Sequence, residues 1–282
     1  MVSLINSLQP LQFSHDMAES LILFARHNQP VIVMGGGIMG ATAPLRLSGL
    51  LCLQNAVVLA GIILTQLVNP GSPVLYGAGG SPMDMQTGAY CIGGPELPRA
   101  VRMGVAMARY YGFPCRGGGA LTDSHEVDFQ AGAQSVLAVE QSLTGNIDFI
   151  VHSCGILGSY MSMSYEKFIA DEDLCRQSLY LKKPLDLSDL DQEIEAIREV
   201  GVGGSFLSHE RTVRFCRTEP FRSPLMNRLT FEKWESLGAE TFVEKASALV
   251  RERLAHYRQP PLGNNLLRDL TRYVRSRKEE IG

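Results

Sequence analysis

Short apolar runs alternate with helical patterns along this chain, and a glycine-containing turn joins most runs to the helix that follows. The run 2–8 (VSLINSL) precedes a helix near 15–28, and 30–36 (PVIVMGG) precedes a long helix near 43–68. The run 73–80 (PVLYGAGG) leads to a helix near 96–111, and 114–120 (PCRGGGA) to one near 127–143. After 148–155 (DFIVHSCG) come helices near 164–180 and 188–200, and a last run, 205–209 (SFLSH), precedes a long C-terminal helical region. Strands that alternate with helices predict an α/β fold, a parallel sheet with helices packed outside it. Six strand–helix units are counted, whereas a closed (βα)8 barrel needs eight. Either two strands escape the pattern, or the sheet is open, or part of a barrel is absent.

Two helices carry clear apolar stripes. Leu187, Leu190, Ile194 and Ile197 recur at three- and four-residue spacing, as do Phe242, Ala246, Leu249, Val250 and Leu254. Such stripes predict helices seated on the sheet. Gly201, Gly203 and Gly204 suit a helix stop, segment 221–234 is irregular, and RQPPLG (258–263) is a break before a final helix with a polar, fraying tail. That break sets a C-terminal helix or tail over 263–282 apart from residues 1–262.

Composition narrows the class. With 26 basic against 29 acidic side chains and a net charge of −3, nothing electrostatic favours nucleic acid as a partner. The six cysteines include no C-x-x-C pair, so neither a disulfide scaffold nor a structural zinc site is expected; most read as buried apolar thiols. The N-terminus lacks a basic leader and an unbroken apolar core, and a cytoplasmic location is the expectation. No charge occurs from Leu47 to Met83, long enough for a membrane span, but Ser48, Gln54, Asn55, Thr65 and Gln66 interrupt the run and no basic cluster flanks it. A helix covered by neighbours is preferred, and no membrane partner is expected.

The run Gly35–Gly40 satisfies G-x-G-x-x-G, yet no acid follows about twenty positions later to hold a ribose, so a plain glycine turn is the better reading. Polar and aromatic side chains gather just past the proposed strands: Tyr76, Arg116, Asp123, His125, Asp128, His152, Ser153, Tyr160 and His209. Asp123 also begins a capping-box pattern, and His152 closes an apolar run where a core histidine is common. Arg116, beside three glycines, suits a carboxylate clamp. No nucleophile elbow, P-loop or H-E-x-x-H motif occurs.

The stretches GATAPLRLSGLLCLQNAVVLAGIILTQLVNPGSPVLYG, TGAYCIGGPE, ARYYGFPCRGGGALTDSHEVDFQAG, SYEKFIADEDLC and VGVGGSFLSH are similar, in order and spacing, to the trimethylamine methyltransferase family. The resemblance runs from about residue 1 to residue 262. It implies a TIM-type (βα)8 barrel, incomplete at the N-terminus because family chains are longer on that side. It also implies transfer of a methyl group from a small methylated amine to the cobalt of a separate corrinoid protein. The chain has no pyrrolysine, so members that use quaternary amines such as glycine betaine are the nearer comparison. Val57 stands where relatives usually carry an acid after the Asn55-Ala56 pair.

On that resemblance Arg116 and His152 are the catalytic candidates, for a substrate carboxylate. Tyr76, Tyr160, Phe206, Asp123 and His209 are the substrate-binding ones, aromatic faces being suited to a quaternary ammonium. No cofactor or metal is expected on this chain, cobalamin belonging to the partner, and a homo-oligomer is compatible with the pattern. The rival readings are a non-catalytic relative that binds an amine or a partner protein and, third, an NAD-dependent oxidoreductase.

Overall fold

The computed structural model describes residues 1–281. In chain order it forms β1 (Ser3–Asn6), α1 (His15–Arg26), β2 (Val31–Met34), β3 (Ile38–Met39), α2 (Leu47–Val68), β4 (Val74–Gly77), β5 (Ser81–Pro82) and α3 (Glu96–Tyr110). Then come β6 (Cys115–Gly118), α4 (Phe129–Thr144), β7 (Phe149–Val151), β8 (Ile156–Leu157), β9 (Ser162–Met163) and α5 (Tyr165–Leu181). The chain closes with α6 (Leu190–Val200), α7 (Glu210–Phe215), α8 (Phe231–Ser236), α9 (Phe242–Ala255) and α10 (Asn264–Ile281).

Five strands make one parallel sheet in the order β1-β2-β4-β6-β7, each after β1 pairing with the strand one unit before it. The sheet curls into an open half-barrel, compatible with part of a (βα)8 barrel. Its core lies between the strands and α1, α2 and α3, where Ile5, Leu21, Val31, Val33, Val58, Ile62, Tyr76, Val101 and Val105 are buried together. A second cluster, Ile169, Leu225 and Ala246, ties α9 to α5. Caps set several boundaries: Ser14, Asp128, Ser164 and Thr241 each accept a backbone N–H of the first turn with their side chains.

The structure corrects four expectations. Residues 205–209 form no strand: Gly201 and Gly203 have positive φ, Phe206 and Leu207 are exposed, and no neighbouring strand is there to pair with them. The sheet therefore has five strands, not six. The stripe Leu187, Leu190, Ile194 and Ile197 does not seat α6 on the sheet; all four are exposed and only Ala196 of that helix is buried. Helix α2 is covered on one side only, by way of Leu50, Val57, Val58 and Ile62, while Cys52, Ala56, Ile63 and Leu67 face outward. Among the cysteines only Cys115 is buried, and Cys52 and Cys216 are exposed.

The glycine run 35–40 does not open a helix. It leads into β3, and α2 begins only at Leu47, with no side-chain cap at Arg46. A Cβ on Gly35 would meet the Gln54 carbonyl at 2.7 Å and one on Gly37 would meet Ala43 at 2.6 Å, so close packing of the chain on itself accounts for both glycines.

Candidate functional site

Side chains alternate across a strand, so β6 sends Cys115 toward the helices and Arg116 to the opposite, inner face. Cys115 is buried in the helix-side core, and its Sγ donates to the partly exposed Asp148 carboxylate at 3.3 Å. Arg116 reaches across the inner face instead, donating from Nη1 to Met34 Sδ at 3.4 Å. Its Nη2 lies 3.3 Å from His152 Nδ1, and its Nε has no partner. The residue is only 5% exposed, and no carboxylate pairs with it among the described residues. Burial pulls the guanidinium pKa below its ordinary value, although it stays charged. A buried cation with one orphaned donor and no counter-charge is costly, and an incoming anion relieves that cost.

His152 follows β7 with φ +56° and stacks edge-on against the Tyr160 ring at 5.2 Å between centroids. Burial first, then the nearby Arg116 charge, lowers its pKa below the usual histidine value. A guanidinium has no acceptor, so Nδ1 must accept from Arg116 and the proton of the neutral ring sits on Nε2. Tyr160 has φ +75° and Ser159 φ +54°, a conformation that non-glycine residues seldom adopt. The surrounding loops hold them there. Ser159 N donates to the Thr122 carbonyl, Gly158 N to the Ser124 carbonyl, and Ser159 Oγ to Asp123 Oδ1 at 2.7 Å.

Asp123 is not a helix cap. Its two oxygens accept the backbone N–H groups of Ile92 and Gly93 at 2.7 and 3.0 Å, which fastens the segment after β5 to the Tyr160 turn. The cap of α4 is Asp128. His125 rests against Gly158, and Ser153 lies under Gly119, where a Cβ would meet Ser153 Cα at 2.5 Å. Tyr90, which the sequence reading passed over, belongs to this neighbourhood: burial, then Tyr160 and Asp123, push its hydroxyl pKa up to about 12, with Arg116 opposing. It sits in no apolar run, so periodicity gave no signal for it.

The structure thus brings Arg116, His152 and Tyr160 together on the inner face, with Asp123 beneath. The other three candidates lie elsewhere. Tyr76 points outward into the helix layer, fully buried, and its hydroxyl donates to Asn55 Oδ1 of α2 at 3.2 Å. His209 caps α7 and contacts Glu199, and Phe206 stacks on His209, all within the α6–α7 region. The inner-face patch is open, Phe149 and Tyr160 being 40% and 42% exposed. An apolar groove of about 820 Å³, lined by Phe129, Val136, Leu137, Leu174 and Phe242, lies on the helix layer and includes none of these side chains. Among the described residues no three His, Cys, Asp or Glu side chains are grouped to hold a metal ion.

Comparison with known proteins adds the decisive observation: the family model for trimethylamine methyltransferase matches residues 1–282. This chain belongs to the trimethylamine methyltransferase family. It is similar to the glycine betaine methyltransferase of Desulfitobacterium hafniense, 37% identical over all of this chain and 59% of that protein. It is also 37% identical to the proline betaine:corrinoid methyltransferase of Eubacterium limosum, over 95% of this chain and 56% of that one. The L-carnitine:corrinoid methyltransferase of the same organism is 33% identical over 78% of this chain and 46% of its own length. The chain thus spans about half the length of the curated family members it matches.

Proposed function

We propose that this chain binds a quaternary ammonium carboxylate and takes part in moving one of its methyl groups to the cobalt of a separate corrinoid protein. The observation that carries this reading is the buried, unpaired Arg116 guanidinium beside aromatic rings, in a family whose relatives are named for betaines and carnitine. Those compounds carry a carboxylate as well as a fixed positive charge, and the site offers a partner for each. Arg116 takes the carboxylate, its free Nε and weakly held Nη1 being the available donors. His152 keeps Nη2 aligned through Nδ1 and leaves Nε2–H for a ligand or water. The partly exposed face of Tyr160 suits the ammonium, at about 0.5–2 kcal/mol per good contact.

The reduced corrinoid cobalt supplies the nucleophile that accepts the methyl group. Nothing in the step needs a general acid or base, because a quaternary ammonium leaves as a neutral tertiary amine. What the protein contributes is position: a fixed carboxylate aims one methyl outward. The open patch leaves the approach of a second protein unobstructed on that face.

Calorimetry with glycine betaine, followed by incubation of methyl-labelled glycine betaine with reduced cobalamin, tests the proposal. Saturable binding and appearance of dimethylglycine support it. Binding without transfer identifies a binding-only relative. Equal affinity for tetramethylammonium, which has no carboxylate, overturns the role of Arg116.

A further inference from the structure

A charge pair sits where the helix packing calls for apolar side chains. Lys167 and Asp171, one turn apart on the inward face of α5, are 1% and 2% exposed. Lys167 Nζ donates to both Asp171 oxygens, at 2.5 and 2.6 Å, and to Ser135 Oγ of α4 at 2.8 Å. Buried pairs of this kind add little net stability, since desolvation offsets the attraction and apolar replacements of equal volume are often as good. Stability alone is therefore a weak account of its presence.

The pair has one further contact, and it leads to the site. Gly155 N–H donates to Asp171 Oδ2 at 2.9 Å in a buried setting. Gly155, at φ +89°, ends the turn His152–Gly155 that begins with His152 at φ +56°. The Gly155 carbonyl accepts from Ser164 N, the residue that caps α5, and Ser153 is pressed under Gly119. The turn is thereby gripped at its far end by α5 and at its middle by the β6 loop. Its near end, His152, is met by Arg116 and the edge of Tyr160.

We propose that Asp171 is a positioning residue, which pins Gly155 and thereby sets the His152 ring against Arg116. Lys167 neutralises the carboxylate so that it can be buried, and Ser135 orients the ammonium. The inference rests on the proposed role of Arg116 and His152 but concerns how they are held, and it holds for the ligand-free protein.

Two double variants separate the acceptor from the charge. Lys167→Met/Asp171→Asn keeps an oxygen for Gly155 N–H; Lys167→Met/Asp171→Leu removes it at similar volume. The readouts are the His152 imidazole pKa by NMR and the glycine betaine affinity by calorimetry, on the full chain. With the asparagine the His152 pKa stays below its ordinary value and affinity stays within about threefold of wild type. With the leucine the pKa returns toward its ordinary value and affinity falls about tenfold or more, as expected for a displaced binding group. A folded leucine variant with wild-type His152 pKa overturns the proposal. Should that variant not fold, exchange of the Gly155 amide in the wild type decides: slow exchange supports the pin, exchange as fast as in exposed loops refutes it. If wild type binds no glycine betaine, the functional reading fails, while the pKa comparison still judges Asp171.

Discussion

Arg116 is the residue on which the functional reading turns, and its situation has a measurable cost. An orphaned buried donor costs about 1–3 kcal/mol, so Arg116→Met should leave unfolding free energy unchanged or raise it by about 1 kcal/mol. The same change should abolish saturable binding of glycine betaine. Urea unfolding and calorimetry on one preparation check both, and a large loss of stability would show that the guanidinium is already satisfied. His152 supplies a pH test. Its folded pKa is lowered, so its contribution to stability is full above the unfolded value near 6.5 and is lost as pH falls through the folded value. Urea midpoints measured from about pH 7.5 down to about pH 5.5 should decline, and His152→Gln should flatten that decline. A decline that is identical in the variant would assign it to other groups. Arg116 and His152 could be picked from the sequence because each interrupts an apolar, glycine-rich run. Tyr76 could not be oriented. In a parallel strand both faces are covered, so the apolar run VLYG does not say which residue looks inward.

The helices were legible because period and caps agree. Ser164 precedes α5 and Thr241, with Glu244, forms a capping box at α9. What the period could not show was whether a stripe is covered. The face of α6 that carries Leu190, Ile194 and Ile197 has the spacing of a core helix yet is exposed, whereas α9, with a similar stripe, packs on α5. Two glycines give a contrast between helix propensity and packing. Gly132 in α4 has nothing within 4 Å of a built Cβ, so Gly132→Ala should stabilise by about 1 kcal/mol. Gly61 in α2 faces Val33, where a Cβ would come to 2.6 Å, so Gly61→Ala should cost about 1–3 kcal/mol despite the better propensity. Thermal unfolding of the two variants checks the opposite signs. Equal shifts would mean that α2 is not seated on β2 as described.

The architecture leaves two sheet edges. β1 pairs only with β2, and β7 pairs only with β6, so the outer N–H and C=O groups of both lack strand partners. With the exposed stripes of α2 and α6, this chain alone should self-associate as concentration rises. Light scattering checks that, and a second polypeptide that contributes strands at these edges should suppress it and raise the melting temperature. A monodisperse monomer at high concentration would remove the expectation. The count of six units missed by one because the last apolar run has no strand beside it, a fact about neighbours that no local pattern contains. The same strand order bears on how the molecule comes to be folded. Every strand of the sheet after β1 finds a partner in the unit just before it. As the chain leaves a ribosome, each strand after β1 meets a template already in place, and only the outer edge of β1 stays unpaired. Growth by accretion needs no long loop to close before it is rewarded, and whatever segment comes to lie beside β7 meets a surface that is ready on arrival.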